Sequence, residues 1–425
     1  NRSKSITVAS ETREKMAVDL YSRECYIYFA KKTSIAMVNI NVFSQILGLI
    51  DRDIFGRLVQ QYQSDKHHKG INSWTHFVSM LFCHLSSADS VRDISNGLRS
   101  TTGNMSHMGI SRTPSKSNLS YMNAHRDHGL FRDLYYKLLD HLWQYHPHKR
   151  PELRRLQRKV FLMDATIIPL CLSVFDWAKF RSAKGAVKLH TVLDYDGCMP
   201  SFVHITDGKQ HESKIAKSMS FPKGCVVVVD RGYVDYAWMN VLDSTGCFFV
   251  TRAKSNMKYT LVKTVKSEEL RTGGILEDQL VELGGLANQR YAGKKMRLVR
   301  VWDSTKNVEY EFLTNNFSWK PASVAALYKE RWEIETFFKH LKQRLKVTSF
   351  VGTSENAVYI QIWTALIGIL LFKYIQKKAK YDWNLSNLVN FIRLNIFVKI
   401  DLWKWADDPF ISGKPPDKKG QYVLF

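Results

Sequence analysis

The run from Cys225 to Val229, closed by Asp230, constrains this chain more than any other stretch. An uninterrupted apolar run of that length suits a strand covered on both faces, as in the buried centre of an α/β sheet. A second run, Val160 to Leu170, is equally rich in β-forming residues and carries Asp164 among Phe161, Leu162, Met163, Ile167 and Ile168. Alternating stretches follow at 187–197 and 201–208, then a helical stretch near 211–219, the valine run, a helix near 235–243 and a strand at 247–254. The order β-β-β-α-β-α-β predicts an α/β fold, a mixed sheet flanked by helices.

A carboxylate inside such strands is costly unless it is hydrogen-bonded or meets a cation. Taken singly, Asp164 and Asp230 each read as an acceptor for the following turn. The stretch 323–346, SVAALYKERWEIETFFKHLKQRLK, brings in a third acid. Leu327, Ile334, Phe338, Leu341 and Leu345 form one apolar stripe, which predicts a single long amphipathic helix. Tyr328, Arg331, Glu335 and Lys342 fall within an arc of roughly 60° at about 100° per residue. Read alone, that face is equally a solvated flank.

The spacing Y-x2-R-x3-E-x6-K resembles the signature of the DDE transposases of bacterial insertion sequences, in the YREK branch, and all four positions match. The resemblance implies that Glu335 is catalytic and is preceded by two aspartates on neighbouring strands of an RNase H-like sheet. Asp164 and Asp230 stand in the required order. Three converging carboxylates repel one another without cations, and an all-oxygen ligand set suits Mg²⁺ or Mn²⁺. Two such ions about 3.5 to 4 Å apart would serve both hydrolysis and strand transfer at a phosphodiester. The resemblance further implies cleavage at element ends, a hairpin intermediate with Tyr328, Arg331 and Lys342 on the flanking nucleotides, and a homodimer on the DNA. It also implies a helical N-terminal region that recognises the terminal repeat, and a β insertion ahead of the glutamate helix.

Composition agrees with a polyanionic partner. Lys and Arg number 62 against 39 Asp and Glu, a formal net charge of +23, and the cations are spread along the chain, which favours DNA over an anionic membrane. The six cysteines show no C-x-x-C pair and no zinc spacing, which fits a reducing bacterial cytoplasm. The apolar run 357–372, about sixteen residues, falls short of the roughly 20 needed to span a bilayer and reads as a buried core helix. The expected divisions are 1–40, unassigned and opening on Asn1 as in a mis-started frame; 41–150, a helical DNA-binding region; and 151–255, the first part of the catalytic core. There follow 256–322, the β-rich insertion; 323–380, the catalytic and closing helices; and 381–425, a tail.

Weaker candidates surround the acids. Arg231, Arg252 and Lys254 sit at strand ends where a DNA phosphate would lie, and each is equally an ordinary exposed cation. Lys184, Lys188 and His190 alternate along one strand and face DNA or solvent. Lys66 to Lys69, the polar start 111–118 and the basic run 149–159 are further possible DNA contacts. Trp302 and Trp319 are candidates to stack on an extruded base, and core packing is the rival reading for both. Asp176, Asp194, Asp196, Asp207 and Glu333 compete for the metal, although Asp194 and Asp196 lie in a turn signature and Glu333 points away from Glu335 on a regular helix. Two other functions keep the same fold: a transposase-derived DNA-binding protein that no longer cuts, and a structure-specific nuclease that cuts without joining.

Overall fold

The computed structural model describes residues 39–410 apart from 67–69, 102–103, 144–156, 172, 182–183, 210–211, 266–273, 346 and 348. The expectations placed on residues 1–38, on most of the basic runs 66–69 and 149–159, and on 411–425 lie outside the described residues.

Short polar residues open the N-terminal helices. Asn41, Asp51, Asn72, Ser90 and Ser115 cap α1 (Val42–Leu47), α2 (Arg52–Gln61), α3 (Ser73–Ser86), α4 (Val91–Arg99) and α5 (Lys116–His125), each side chain accepting from a backbone N–H of the first turn. The helix α6 (Gly129–Trp143) closes the set.

The sheet follows in the predicted order. Its strands are β1 (Val160–Leu170), the short β2 (Lys179–Arg181), β3 (Lys184–Asp194) and β4 (Met199–Asp207). Then come α7 (Glu212–Lys217), β5 (Val226–Val229), α8 (Tyr236–Ser244) and β6 (Phe248–Arg252). β3 runs antiparallel to β1 and β4, while β1, β5 and β6 are parallel, giving the order β4-β3-β1-β5-β6 of an RNase H-like sheet. The four valines of β5 are fully buried, as their unbroken apolar run requires.

The predicted β insertion is present, and it continues the catalytic sheet. Strands β7 (Tyr259–Thr264), β8 (Ile275–Leu283), β9 (Lys295–Asp303) and β10 (Val308–Thr314), with the short helix α9 (Gly285–Arg290) after β8, extend the sheet because β10 pairs antiparallel with β6, Leu313 opposite Thr251. Among the described residues this makes ten strands in one sheet.

The predicted single helix over 323–346 is three pieces. α10 (Pro321–Lys329) gives way to a turn at Glu330 and Arg331, where the amides of Arg331, Glu333 and Ile334 bond three residues back rather than four. α11 (Trp332–Lys339) then passes into a π-helical turn, His340–Arg344. Tight and loose turns depart from about 100° per residue in opposite senses, so the helix is irregular between Tyr328 and Lys342. The apolar stripe does hold: Leu327, Ile334, Phe338, Leu341 and Leu345 are all buried.

The run 357–372 lies in α12 (Glu355–Lys378). That helix is long and apolar enough to cross a membrane by length and composition, yet 83% of its most apolar window is buried inside the protein. Of the stretch expected to be a tail, α13 (Leu385–Leu394) and α14 (Leu402–Asp407) are packed helices. One apolar core runs from Val42 to Ala406 and covers one face of the sheet, so the N-terminal helices and the chain's later helices share a single interior. The amides of Val42 and Phe43 donate to the carbonyls of Val398 and Ile396, and His84 on α3 bridges the Leu345 carbonyl and Thr364. A second core on the opposite face is built by α7, α8 and the insertion.

Candidate active site

Side chains alternate along a strand, so the two cores reveal which way each acid points. Leu162 and Val228 belong to the core beneath α10 to α12, and Met163 and Val229 to the opposite one. Asp164 and Asp230, one residue further on, both emerge on the face of the glutamate helix. Met163 pairs with Val229 in the parallel register, which sets the two aspartates side by side at the edge where β5 ends. Asp230 leaves that strand and opens a 3-10 turn, Arg231–Tyr233.

The signature residues join the three acids. Arg331 donates through Nη1 to Asp164 at 3.3 Å and through Nη2 to Glu335 at 2.6 Å. The Tyr328 hydroxyl donates to Asp230 at 2.9 Å. Arg331 also lies over the Tyr328 ring, 5.5 Å from its centroid, and Phe312 packs on that ring at 4.8 Å. The bend at Glu330 and Arg331 turns the guanidinium inward, and Tyr195 holds it by donating to Glu330 at 2.7 Å.

Burial pushes the Asp164 carboxyl up to about 6, with the neighbouring charges of Asp230 and Glu212 adding to the rise and Arg331 and the Ala165 amide opposing it. Burial likewise raises the Tyr328 phenol, and Asp230 beside it adds to the effect. Tyr328 therefore stays protonated and donates to Asp230.

The other candidates separate. Arg231 is exposed on its turn; Arg252 lies 4.7 Å over the Tyr310 ring; Lys254 donates to the Val234 carbonyl at 2.9 Å. Lys342 is half-buried in the π-helical turn, and burial lowers its pKa. Nothing is described of the Lys184 side chain. Lys188 and His190 do not face solvent: Lys188 is 9% exposed and ion-paired to Glu212, which covers this face of β3, and His190 is fully buried against Thr206. Of the competing acids, Asp176 and Asp207 are exposed, Asp194 pairs with Lys159 and accepts from the amide of Asp196, and Glu333 lies against Cys198.

Next to the acids is a cavity of about 530 Å³ that shares Tyr328 and Arg331 with them. Trp302, Tyr310, Phe312 and Trp332 line it together with Arg252, Lys306 and Lys329. Trp302 is 40% exposed there, whereas Trp319 packs on Phe248, which separates the two tryptophans that the sequence leaves equal. Trp332, 51% exposed with Lys306 over its ring at 4.8 Å, escapes the sequence reading. Its signal is its place beside Arg331, about 140° from Leu327 and so on the outward flank of the helix.

The profile of the family described as Transposase DDE domain matches residues 155–371, a span that includes Asp164, Asp230 and Glu335. The chain belongs to the DDE transposases. A second profile, a domain of unknown function, matches residues 38–111 of this transposase. A Sinorhizobium fredii protein named as a transposase is 28% identical over 295 residues, 68% of this chain and 80% of that one. A Geobacillus stearothermophilus protein named as the transposase of an insertion sequence element is 26% identical over 240 residues, 56% of this chain and 63% of its own. A solved piggyBac transposase synaptic complex with hairpin DNA covers 89% of this chain and 84% of its own at 10% identity and a TM-score of 0.42, a likeness too slight to carry an argument.

DDE transposase chemistry depends on divalent metal ions, and the donors here fit a hard cation: carboxylates only, one of them held above its ordinary range by burial and a like charge. Among the described residues no three His, Cys, Asp or Glu side chains stand close enough to share one ion. Arg331 stands between Asp164 and Glu335, so gathering the acids around an ion requires its guanidinium to turn away, while Tyr328 donates to Oδ1 of Asp230 alone.

Proposed function

We propose that this DNA transposase cuts at the ends of an insertion sequence and joins the freed 3′ end to target DNA by a cut-and-paste route through a hairpin, working as a dimer. Asp164, Asp230 and Glu335 would hold Mg²⁺ or Mn²⁺, two ions per site. Bound ions supply activation of the attacking oxygen and neutralisation of the phosphodiester charge. In the first step a water oxygen bonds to phosphorus, the bond to the 3′ oxygen breaks, and that oxygen leaves as a hydroxyl. In the second, this 3′-hydroxyl attacks the opposite strand and expels a second 3′ oxygen. Arg331, once it leaves the carboxylates, presents a planar fork to the flanking phosphate. Trp302 and Trp332 offer ring faces to a base drawn out of the stack, with Arg252 and Lys306 near its phosphates.

The observation that carries this reading is the pair of contacts from Arg331 to Asp164 and Glu335, with Tyr328 on Asp230, beside an aromatic and cationic cavity. The test is incubation of the protein with Mg²⁺ and DNA bearing the repeats that flank its gene. Joined products support the transposase; cutting without joining supports a nuclease; binding alone supports a protein that has lost cleavage. Asp164→Ala, Asp230→Ala and Glu335→Ala should each abolish cleavage and leave end binding in place.

A further inference from the structure

Behind the acids, on the opposite face of the sheet, lies an ionic contact that the proposed chemistry does not use. Lys188 on β3 points away from the glutamate helix, and its Nζ lies 2.8 Å from Oε1 of Glu212, the first residue of α7. Both side chains are largely withdrawn from water, 11% and 26% exposed. The second oxygen of Glu212 rests on the Asp230–Tyr233 turn. A Cβ built on Gly232 would stand 2.7 Å from Oε2, a distance that real Cβ atoms do not show. Gly232 is not in the left-handed region, so its backbone does not ask for glycine; the Glu212 oxygen standing at the place a Cβ would take does. The next residue, Tyr233, is fully buried, and among the described residues its hydroxyl has no hydrogen-bond partner although Glu212, Asp164 and Asp230 all bear on it electrostatically.

These contacts form a strut. β3 pairs with β1, the strand of Asp164, with Thr191 opposite that acid. From β3 the strut runs through Lys188 to Glu212 and through Glu212 to Gly232, two residues beyond Asp230. The two aspartate-bearing segments thereby meet twice, once through the parallel register of β1 and β5 and once through the packing of Glu212 on the turn behind the sheet. An ion pair so little exposed is worth less as net stability than as fixed geometry, since desolvation offsets much of the attraction. We propose that Glu212, held by Lys188, is a positioning residue that sets the Asp230 carboxylate against Asp164 and so tunes divalent-ion binding. The inference rests on the reading of Asp164 and Asp230 as metal ligands.

Two variants test it. Glu212→Gln keeps the shape against Gly232 and loses the charge that Lys188 holds; Gly232→Ala, at an exposed position, leaves Glu212 in place and forces its carboxylate away. Mn²⁺ binding to the complex of protein and end DNA is titrated by electron paramagnetic resonance, alongside melting temperature and DNA affinity. Both variants should bind Mn²⁺ about 10–100-fold more weakly, with end-DNA affinity within about twofold of wild type and cleavage recovering as Mn²⁺ is raised. Wild-type Mn²⁺ binding in either folded variant overturns the proposal, and Gly232→Ala alone decides if Glu212→Gln does not fold. Wild-type protein that neither binds Mn²⁺ nor cuts end DNA overturns the metal-site reading itself, whatever the variants do.

Discussion

Asp164 should cost the fold stability, and removing its charge should give that stability back. Its carboxyl is raised from 3.8 to about 6, chiefly by burial. Below the lower value the carboxyl is protonated both folded and unfolded, and it carries no penalty. As pH climbs between the two values the folded chain retains a proton that the unfolded chain releases, so stability falls; above about 6 the loss is complete. A rise of that size corresponds to about 3 kcal/mol, an upper figure because the side chain is 19% exposed and water screens part of it. Asp164→Asn carries no charge at any pH, and Arg331 keeps Glu335 as its partner. In metal-free buffer near neutral pH the variant should therefore be more stable than wild type by up to about 3 kcal/mol, with the gap closing as pH approaches 4. Urea denaturation followed by tryptophan fluorescence at both pH values measures it. Mn²⁺ should stabilise wild type, by about 2.7 kcal/mol at a hundred times its dissociation constant, and help the variant less. A variant no more stable than wild type near neutral pH, or a gap unchanged in acid, refutes the reasoning.

Three further outcomes follow from the same geometry. Tyr328→Phe removes the bond to Asp230 while keeping the ring between Phe312 and Arg331, and should slow cleavage by about tenfold at unchanged end affinity, read in single-turnover assays. Trp302→Ala should weaken capture of an extruded base by about 1–3 kcal/mol, read from 2-aminopurine fluorescence in the end DNA, and should reduce hairpin formation more than first-strand nicking. Lys342→Ala should lower the slope of log affinity against log salt by about 0.9 if the ammonium meets a phosphate; an unchanged slope removes it from the interface.

What could be read from the residues was local. The bounds of β1 follow from its own apolar and β-branched content, and Asp164 and Asp230 are conspicuous because carboxylates do not belong in such strands. The four signature residues could be picked out by spacing even though their helix is not regular, since the protein needs contacts at Asp164, Asp230 and Glu335 rather than a straight axis. Pairings across long stretches of chain were not legible. Nothing in 295–314 announces that Leu313 will lie opposite Thr251 and make the insertion part of the sheet. Lys188 looks like any strand lysine until Glu212 arrives from a later helix to neutralise it. Trp332 is hidden for a different reason: about 140° from Leu327 it reads as an ordinary outward flank, and Lys306 and the cavity that give it meaning come from the distant insertion.

The shared interior of the first and last helices bears on how such proteins diversify. A fragment ending after α6 would strand the amides of Val42 and Phe43 without Val398 and Ile396, and would leave α3 bare where α12 now packs. Recombination that traded only the upstream third of one gene for another's would produce a mismatched interior. A successful exchange has to bring matching pieces from both sides of the catalytic sheet, so new specificities should arise in place, by point substitution on outward faces, more readily than by swapping whole segments.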